Sequence, residues 1–333
     1  MVVPPEASRQ RGVFSLQQAR AAGVGQRALR RALADGTVVQ VRPCVFAAWD
    51  LSSGRDVVAV HRARVLAEQL GRGPGWFAAR RSAALLMGLP LIGRPPLRPQ
   101  LLRDAAGTRG RGTDRHARVG ALPPGQRTVV DGVPVTSPAR TVIDIARGES
   151  FRNAVVVADA ALRRGVTRGD LEQVLAGMRR WPGAARARRA VAFADGRAES
   201  PGESVTRVAC LLEGLPVPEP QVEVWRDGRF VARVDLLVEE GLLLIESDGA
   251  VKFTDPGVLP ALLARHEELR DCGLEVLRTD WDQTFSRTQL FGDRVRDRLR
   301  TSYARRLAPG VELRRTVTRP VGPSLATPRS PAA

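Results

Sequence analysis

"VDLLVEEGLLLIESDGAVKF", residues 234–253, is the stretch whose reading decides the fold. Two apolar runs, "VDLLV" and "LLLIES", flank the polar link Glu239-Glu240-Gly241, which is the pattern of two paired strands. Asp235, Glu246 and Asp248 interrupt these runs, and Lys252 follows them. An ionised group among apolar strands loses its hydration, at a cost of several kcal/mol unless it is paired or holds a metal. Residues two apart on a strand share a side, so Glu246 and Asp248 project together and Asp235 can lie opposite them on the partner strand. Such an oxygen set suits Mg²⁺ (or Mn²⁺), which needs hard ligands and keeps positions for water and phosphate.

Working outward, "SPGESVTRVACLLEGLP" (200–216) reads as a helix capped by Ser200, with Pro201 at its first position and Glu203 at its third. That spacing is a capping box. If Glu203 also faces the strands, it joins Asp235 and Glu246 as a third metal ligand. "PQVEVW", "RFVARVDLLV" and "LLLIESD" read as three successive strands. "PALLARHEELRDCG" follows as a helix, "LEVLRT" as a fourth strand and "RTQLFGDRVRDRLRTSYARR" as a long helix, giving the order αβββαβα. Lys252, the one lysine beside 51 arginines, can lower its pKa in a dry site or steady a hydroxide, as arginine cannot. With Asp235, Glu246 and Asp248 it makes the candidate catalytic edge. His61, His116 and His266 have no partner at metal-ligand spacing and read as structural or surface residues.

At the other end, "FSLQQARAAGVGQRALRRALADGTVVQVRPCVFAAW" (14–49) has the order helix, glycine turn, helix, hairpin. This is the plan of a winged helix-turn-helix. Ser15 caps the first helix, Gly23 breaks it, and the second runs from about Gln26 to Ala34. Arg27, Arg30 and Arg31 stand at i, i+3 and i+4 and share one face, while Arg42 sits at the hairpin turn. These four are the candidate contacts to double-stranded DNA. Residues 51–195 read as mainly helical, broken by the hairpin "RTVVDGVPV", with Ser137 capping the helix of "TSPARTVIDIAR".

The 333 residues carry a net charge of +17 that is strongly segregated. Residues 1–199 hold 33 basic and 15 acidic groups (+18), 200–285 hold 8 and 17 (−9), and 286–333 hold 11 and 3 (+8). A GC-rich genome would inflate arginine but not sort it along the chain, so the segregation favours a polyanionic partner. No apolar run approaches the roughly 20 residues of a membrane span. Three cysteines without metal or disulfide spacing, and no leader-like segment, give a cytoplasmic reading.

Two resemblances sharpen this. The stretches 14–49 and "GVPVTSPARTVIDIA" (132–146) resemble the antitoxins of AbiEi-like type IV toxin–antitoxin systems, which implies promoter binding and a nucleotidyltransferase-like toxin as partner. "ARVDLLVEEGLLLIESDGAVKF" with "EVLRTDW" resembles the very-short-patch-repair-like endonucleases of the PD-(D/E)XK class. That resemblance implies Asp235, Glu246 and Glu203 as metal ligands, with Asp248 and Lys252 at the catalytic edge. It departs at Asp248, where the motif has lysine, and at Leu262–Leu263, where a Glu-Lys pair is usual. The expected fold is α+β: a winged helix-turn-helix (1–50), a mainly helical antitoxin-like region (51–195), a PD-(D/E)XK-like domain (196–306) and a disordered tail (307–333). Two functions fit: a metal-dependent DNA endonuclease in phage defence, toxin–antitoxin or repair context, or an antitoxin-type repressor with an inactive nuclease-like domain.

Overall fold

Capping explains how the chain begins. In the computed structural model, Ser15 Oγ accepts from the Gln18 amide at 3.2 Å while the Gln18 side chain accepts from the Ser15 amide at 2.8 Å. The structure describes residues 3–10, 12–48, 56–104, 116–247, 258–302, 304–318 and 324–325. They divide into two units, one comprising residues up to Glu149 with Gly169–Ala184, the other Ser150–Arg168 with Ala185–Ser324.

The first unit opens with α1 (Pro5–Arg9), β1 (Val13–Ser15), α2 (Leu16–Ala21), α3 (Gln26–Ala34), β2 (Val39–Arg42) and β3 (Val45–Ala47). Its three strands lie in the order β1-β3-β2, all antiparallel. Phe14, Ala19, Val24, Leu29, Ala32, Val38 and Phe46 bury together as a small core, which fixes α3 by one face and leaves the other to solvent. The expected order of helix, turn, helix and hairpin is present, with β1 as an additional strand.

The unit continues with α4 (Val57–Arg72), β4 (Trp76–Ala78), α5 (Arg80–Leu86), β5 (Leu101–Asp104), β6 (Ala117–Gly120), β7 (Arg127–Val130), β8 (Val133–Thr136) and α6 (Pro138–Gly148). The β7–β8 hairpin turns on Asp131 (φ +47°) and Gly132 (φ +80°), the left-handed pair that matches strand twist. Over residues 51–195 helices hold more of the chain than strands, as expected, but the β structure extends beyond the one hairpin the sequence showed. The hairpin belongs to a five-stranded sheet, β6-β5-β4-β8-β7. "WFAARRSAALLMGL" is not one helix: it enters as β4 and turns helical only at Arg80. Strands of three or four residues are too short to show a period-two pattern, so beyond the β7–β8 hairpin the sheet left no mark in the sequence.

The chain then contributes α7 (Phe151–Arg163) to the second unit, α8 (Arg168–Ala176) mostly to the first, and α9 (Ala184–Phe193) to the second. The rest of the second unit is α10 (Pro201–Leu212), β9 (Glu219–Arg226), β10 (Arg229–Val238), β11 (Leu243–Ser247), α11 (Val258–Asp271), β12 (Glu275–Thr279), α12 (Trp281–Phe285), α13 (Thr288–Ser302) and β13 (Val311–Arg315). The sheet order is β12-β11-β10-β9-β13, with only the β11–β12 pair parallel. Leu236, Val238, Leu243 and Ile245 pack with Cys210 of α10 and Phe291, Val295 and Leu299 of α13. Val222, Val234, Leu237 and Leu244 pack on the other face with Leu269 and Cys272. The tail is also corrected: Val311–Arg315 is an edge strand paired with β9, although the Pro- and Arg-rich flanks hide it.

Candidate functional site

Helix α10 starts against the end of β11. A Cβ on Gly202 would lie 2.5 Å from Ser247 Oγ, so a larger residue there would force the serine hydroxyl aside. The next residue is Glu203, which is 4% exposed. Ser200 Oγ caps the helix by accepting from the Glu203 amide at 3.1 Å. The Glu203 carboxylate in turn accepts from Ser200 Oγ at 2.8 Å, the Glu199 amide at 2.9 Å and Gln221 Nε2 at 3.0 Å. Burial raises its pKa above the ordinary glutamate value, and the neighbouring Asp235 charge pushes it further in the same direction. Glu203 and Asp235 therefore share one electrostatic environment.

Asp235 stands at an irregularity in β10. Strand alternation should put Val234 and Leu236 on one face, yet Val234 belongs to the α11-side core and Leu236 to the α10-side core. The β9 residue between their partners, Gln221, has φ +57°, a strained value for a non-glycine residue. Gln221 is buried, its side chain reaches Glu203, and its carbonyl accepts from Thr316 Oγ1 at 2.6 Å. Strand irregularities of this kind re-aim side chains beside functional sites.

The β10–β11 register pairs Leu236 with Ile245 and Leu237 with Leu244, so its continuation sets Asp235 opposite Glu246. Glu246 is 4% exposed and bonded to His266 Nε2 at 2.9 Å. Its Oε1 lies 3.1 Å from Arg265 of α11 but makes no hydrogen bond of acceptable geometry. Arg265 also donates to the carbonyl of Arg233, whose own guanidinium pairs with Glu199. A chain of polar contacts thus runs from Glu246 through Arg265, Arg233 and Glu199 to Glu203. By donor chemistry these acids suit a hard cation. Among the described residues, no group of three or more His, Cys, Asp or Glu is close enough together to hold a metal. Asp248 and Lys252 lie outside the described residues.

Sequence reasoning missed His266, Arg265 and Gln221. His266 is 7% exposed, not a surface residue. It stands three positions before the buried Leu269, on the same helical stripe, so the 3.6-residue period carried the signal. Nothing local in the sequence marks Gln221. His61 is buried and bonded to Ser82 Oγ at 2.8 Å, which makes it structural.

In the first unit, Arg27, Arg30 and Arg31 are all exposed on α3, opposite the buried Leu29 and Ala32. None forms an ion pair among the described residues. Arg42 differs, because its Nη1 is held 3.0 Å from Glu68 Oε2 and also donates to the Glu68 carbonyl. The structure separates it from the α3 arginines in character: it fastens β2 to α4. No helix among the described residues is long and apolar enough to cross a membrane.

Comparison with known proteins adds to this geometry. Residues 1–47 match the family described as "Transcriptional regulator, AbiEi antitoxin". Two Mycobacterium tuberculosis proteins, Uncharacterized protein MT2308 of strain CDC 1551 / Oshkosh and Uncharacterized protein Rv2248 of strain ATCC 25618 / H37Rv, are each 32% identical over 163 residues. The alignment spans 49% of this chain and 59% of each relative.

Proposed function

We propose that this protein is a DNA-binding regulator of the antitoxin kind. Residues 14–49 act as a winged helix-turn-helix, with α3 as the helix that enters the major groove. The observation that carries the reading is the match of residues 1–47 to an antitoxin transcriptional regulator, joined to an arginine face on α3 that no acid neutralises by ion pairing. Phosphate contacts release counterions, so affinity should fall steeply with salt. Replacing Arg27, Arg30 and Arg31 together by alanine should abolish binding to the DNA upstream of the protein's own gene, read by fluorescence anisotropy. Binding that ignores salt, or survives the triple substitution, would sink the assignment. The same reading places the protein in the cytoplasm and implies a toxin partner, for which we propose a nucleotidyltransferase-like product of a neighbouring gene. Toxicity of that neighbour should drop when this protein is co-expressed, and undiminished toxicity would remove the antitoxin role.

A second reading is supported by the second unit. Asp235 lies opposite Glu246 in the register, it raises the proton affinity of the buried Glu203, and Glu246 keeps an oxygen without a hydrogen bond. We propose these acids as a latent divalent-cation site of a PD-(D/E)XK-like DNA endonuclease, which requires Arg265 to withdraw from Glu246. A bound Mg²⁺ or Mn²⁺ would polarise a phosphoryl oxygen and lower the pKa of an attacking water. Nicking of supercoiled plasmid with Mg²⁺ or Mn²⁺, lost in Glu246→Gln, is the expected result; intact plasmid at every metal concentration speaks for the repressor alone.

A further inference from the structure

Five arginines of the first unit, Arg80, Arg81, Arg118, Arg140 and Arg147, gather near two carboxylates, Asp144 and Glu149. The carboxylates are already committed. Asp144 takes Arg140 at 2.7 Å and Arg147 at 3.1 Å, and Glu149 takes Arg81 at 2.7 Å. Arg140 and Arg147 also lie over the ring of Trp181, which fixes both in place. Arg80 and Arg118 are left over, and neither forms an ion pair among the described residues. Arg118 lies on β6 and is exposed; burial lowers the proton affinity of Arg80 and Arg147, and the nearby Arg118 charge adds to that.

Arg80 is held at some cost. It opens α5 with φ +51°, a left-handed conformation that a residue with a side chain adopts only when its surroundings impose it. Its Nε is buried with no hydrogen-bond partner. A Cβ on Gly148 would sit 2.6 Å from its Nη2, so a side chain there would push the guanidinium from its present seat. Strain, an orphaned donor and a glycine seat together describe a cation placed for something absent from the chain itself. A guanidinium presents two parallel N–H groups that fit the paired oxygens of a phosphate.

We propose that Arg80 and Arg118 form a receptor for backbone phosphate of duplex DNA, a second contact outside the winged helix of residues 14–49. The proposal rests on the DNA-binding reading above and adds a position-fixing contact that carries no sequence information. The chemistry argues for phosphate over a protein carboxylate, because two guanidiniums that form no ion pair among the described residues match a group with several charged oxygens, and the surrounding region up to residue 199 carries +18.

The test uses the full chain, the DNA upstream of its own gene and an unrelated duplex of equal length. Each phosphate contact contributes about 0.9 to the slope of log K against log salt. Arg80→Gln with Arg118→Gln should lower that slope by about two and weaken both duplexes by the same factor. Gly148→Ala keeps both charges but pushes the Arg80 guanidinium off its seat. It should lower the slope by about one without lowering the melting temperature, since alanine favours the helix. Wild-type slopes in both variants, while the α3 triple substitution abolishes binding, would overturn this inference alone. If the wild type binds neither duplex, the DNA-binding reading and the receptor fall together. Variants that bind DNA normally but no longer neutralise a toxic neighbour would assign the arginines to a protein partner, and so overturn the phosphate assignment.

Discussion

Arg207→Ala is expected to cost about 3–5 kcal/mol of folding stability at pH 8, the range for removing one partner of a buried ion pair. Asp159, on α7, is 1% exposed and Arg207, on α10, is 5% exposed, with Nη1 and Oδ2 3.2 Å apart. The Ser204 hydroxyl donates to the same carboxylate at 2.7 Å and the Asp195 amide at 2.8 Å, so α7, α10 and the segment after α9 meet on one charge. Burial pushes the Asp159 pKa up to about 7 from 3.8, against the opposing pull of Arg207 and the two donors. A folded pKa above the unfolded one means that the folded state holds the proton more tightly. The stability this group contributes is therefore complete below pH 3.8 and is lost as pH rises through about 7.

The sign carries over to the variant. Without Arg207 the Asp159 pKa rises further, so at pH 8 the variant must take up a proton that the unfolded chain does not hold, whereas at pH 5 the carboxyl is protonated in both folded proteins and this part of the cost disappears. Adding Asp159→Asn should recover stability at pH 8 and flatten the pH dependence. Urea melts of the wild type, both single variants and the double variant at pH 5 and 8 would decide it. A cost below 1 kcal/mol, or one that is equal at the two pH values, contradicts the buried-pair account. Domains are stable by only about 5–15 kcal/mol, so the predicted loss at pH 8 is a large fraction of the whole.

What the sequence revealed depended on how local the signal was. Ser15, Ser137 and Ser200 were readable as caps because a cap and its partner stand three residues apart, and all three accept the expected amide. The acids at 235 and 246 stood out because charge in an apolar strand is costly, and each stands one residue beyond the paired Leu236 and Ile245. Long-range features were illegible. Of the five-stranded sheet of the first unit only the β7–β8 hairpin was readable; β4, β5 and β6 are three or four residues long, and β4 (Trp76–Ala78) pairs with β8 (Val133–Thr136) far along the chain. Strand β13 is recognisable only through β9, and Gln221 only through a dihedral angle that the three-dimensional packing imposes. Arg42 shows what the sequence hid: nothing at the hairpin turn marks its pairing with Glu68, 26 residues away. A basic residue declares its partner only when the fold brings an acid to it.

Divalent metal should stabilise the second unit if the acids at its sheet edge are a latent cation site. At a hundredfold excess over the dissociation constant, Mg²⁺ or Mn²⁺ would add about 2.7 kcal/mol, visible as a rise in melting temperature. The driving force is already in the structure, since burial and then the Asp235 charge raise the proton affinity of Glu203, and a cation between the two acids would relieve that repulsion. Asp235→Asn and Glu246→Gln should each remove the shift while the apo protein still folds. Arg265 offers the discriminating case. Its guanidinium lies 3.1 Å from Glu246 Oε1, on the oxygen that a metal would need, so metal and arginine compete. Arg265→Gln should therefore move the metal titration to lower concentration, whereas a purely structural ion pair predicts no metal response in either protein. Lys252→Ala should leave the metal shift intact and abolish plasmid nicking, because a lysine beyond the strand acts on the reaction and not on the cation. An unshifted melting curve for wild type and Arg265→Gln alike would remove the nuclease reading and leave the acids as a charge network that ties α10 and α11 to the sheet.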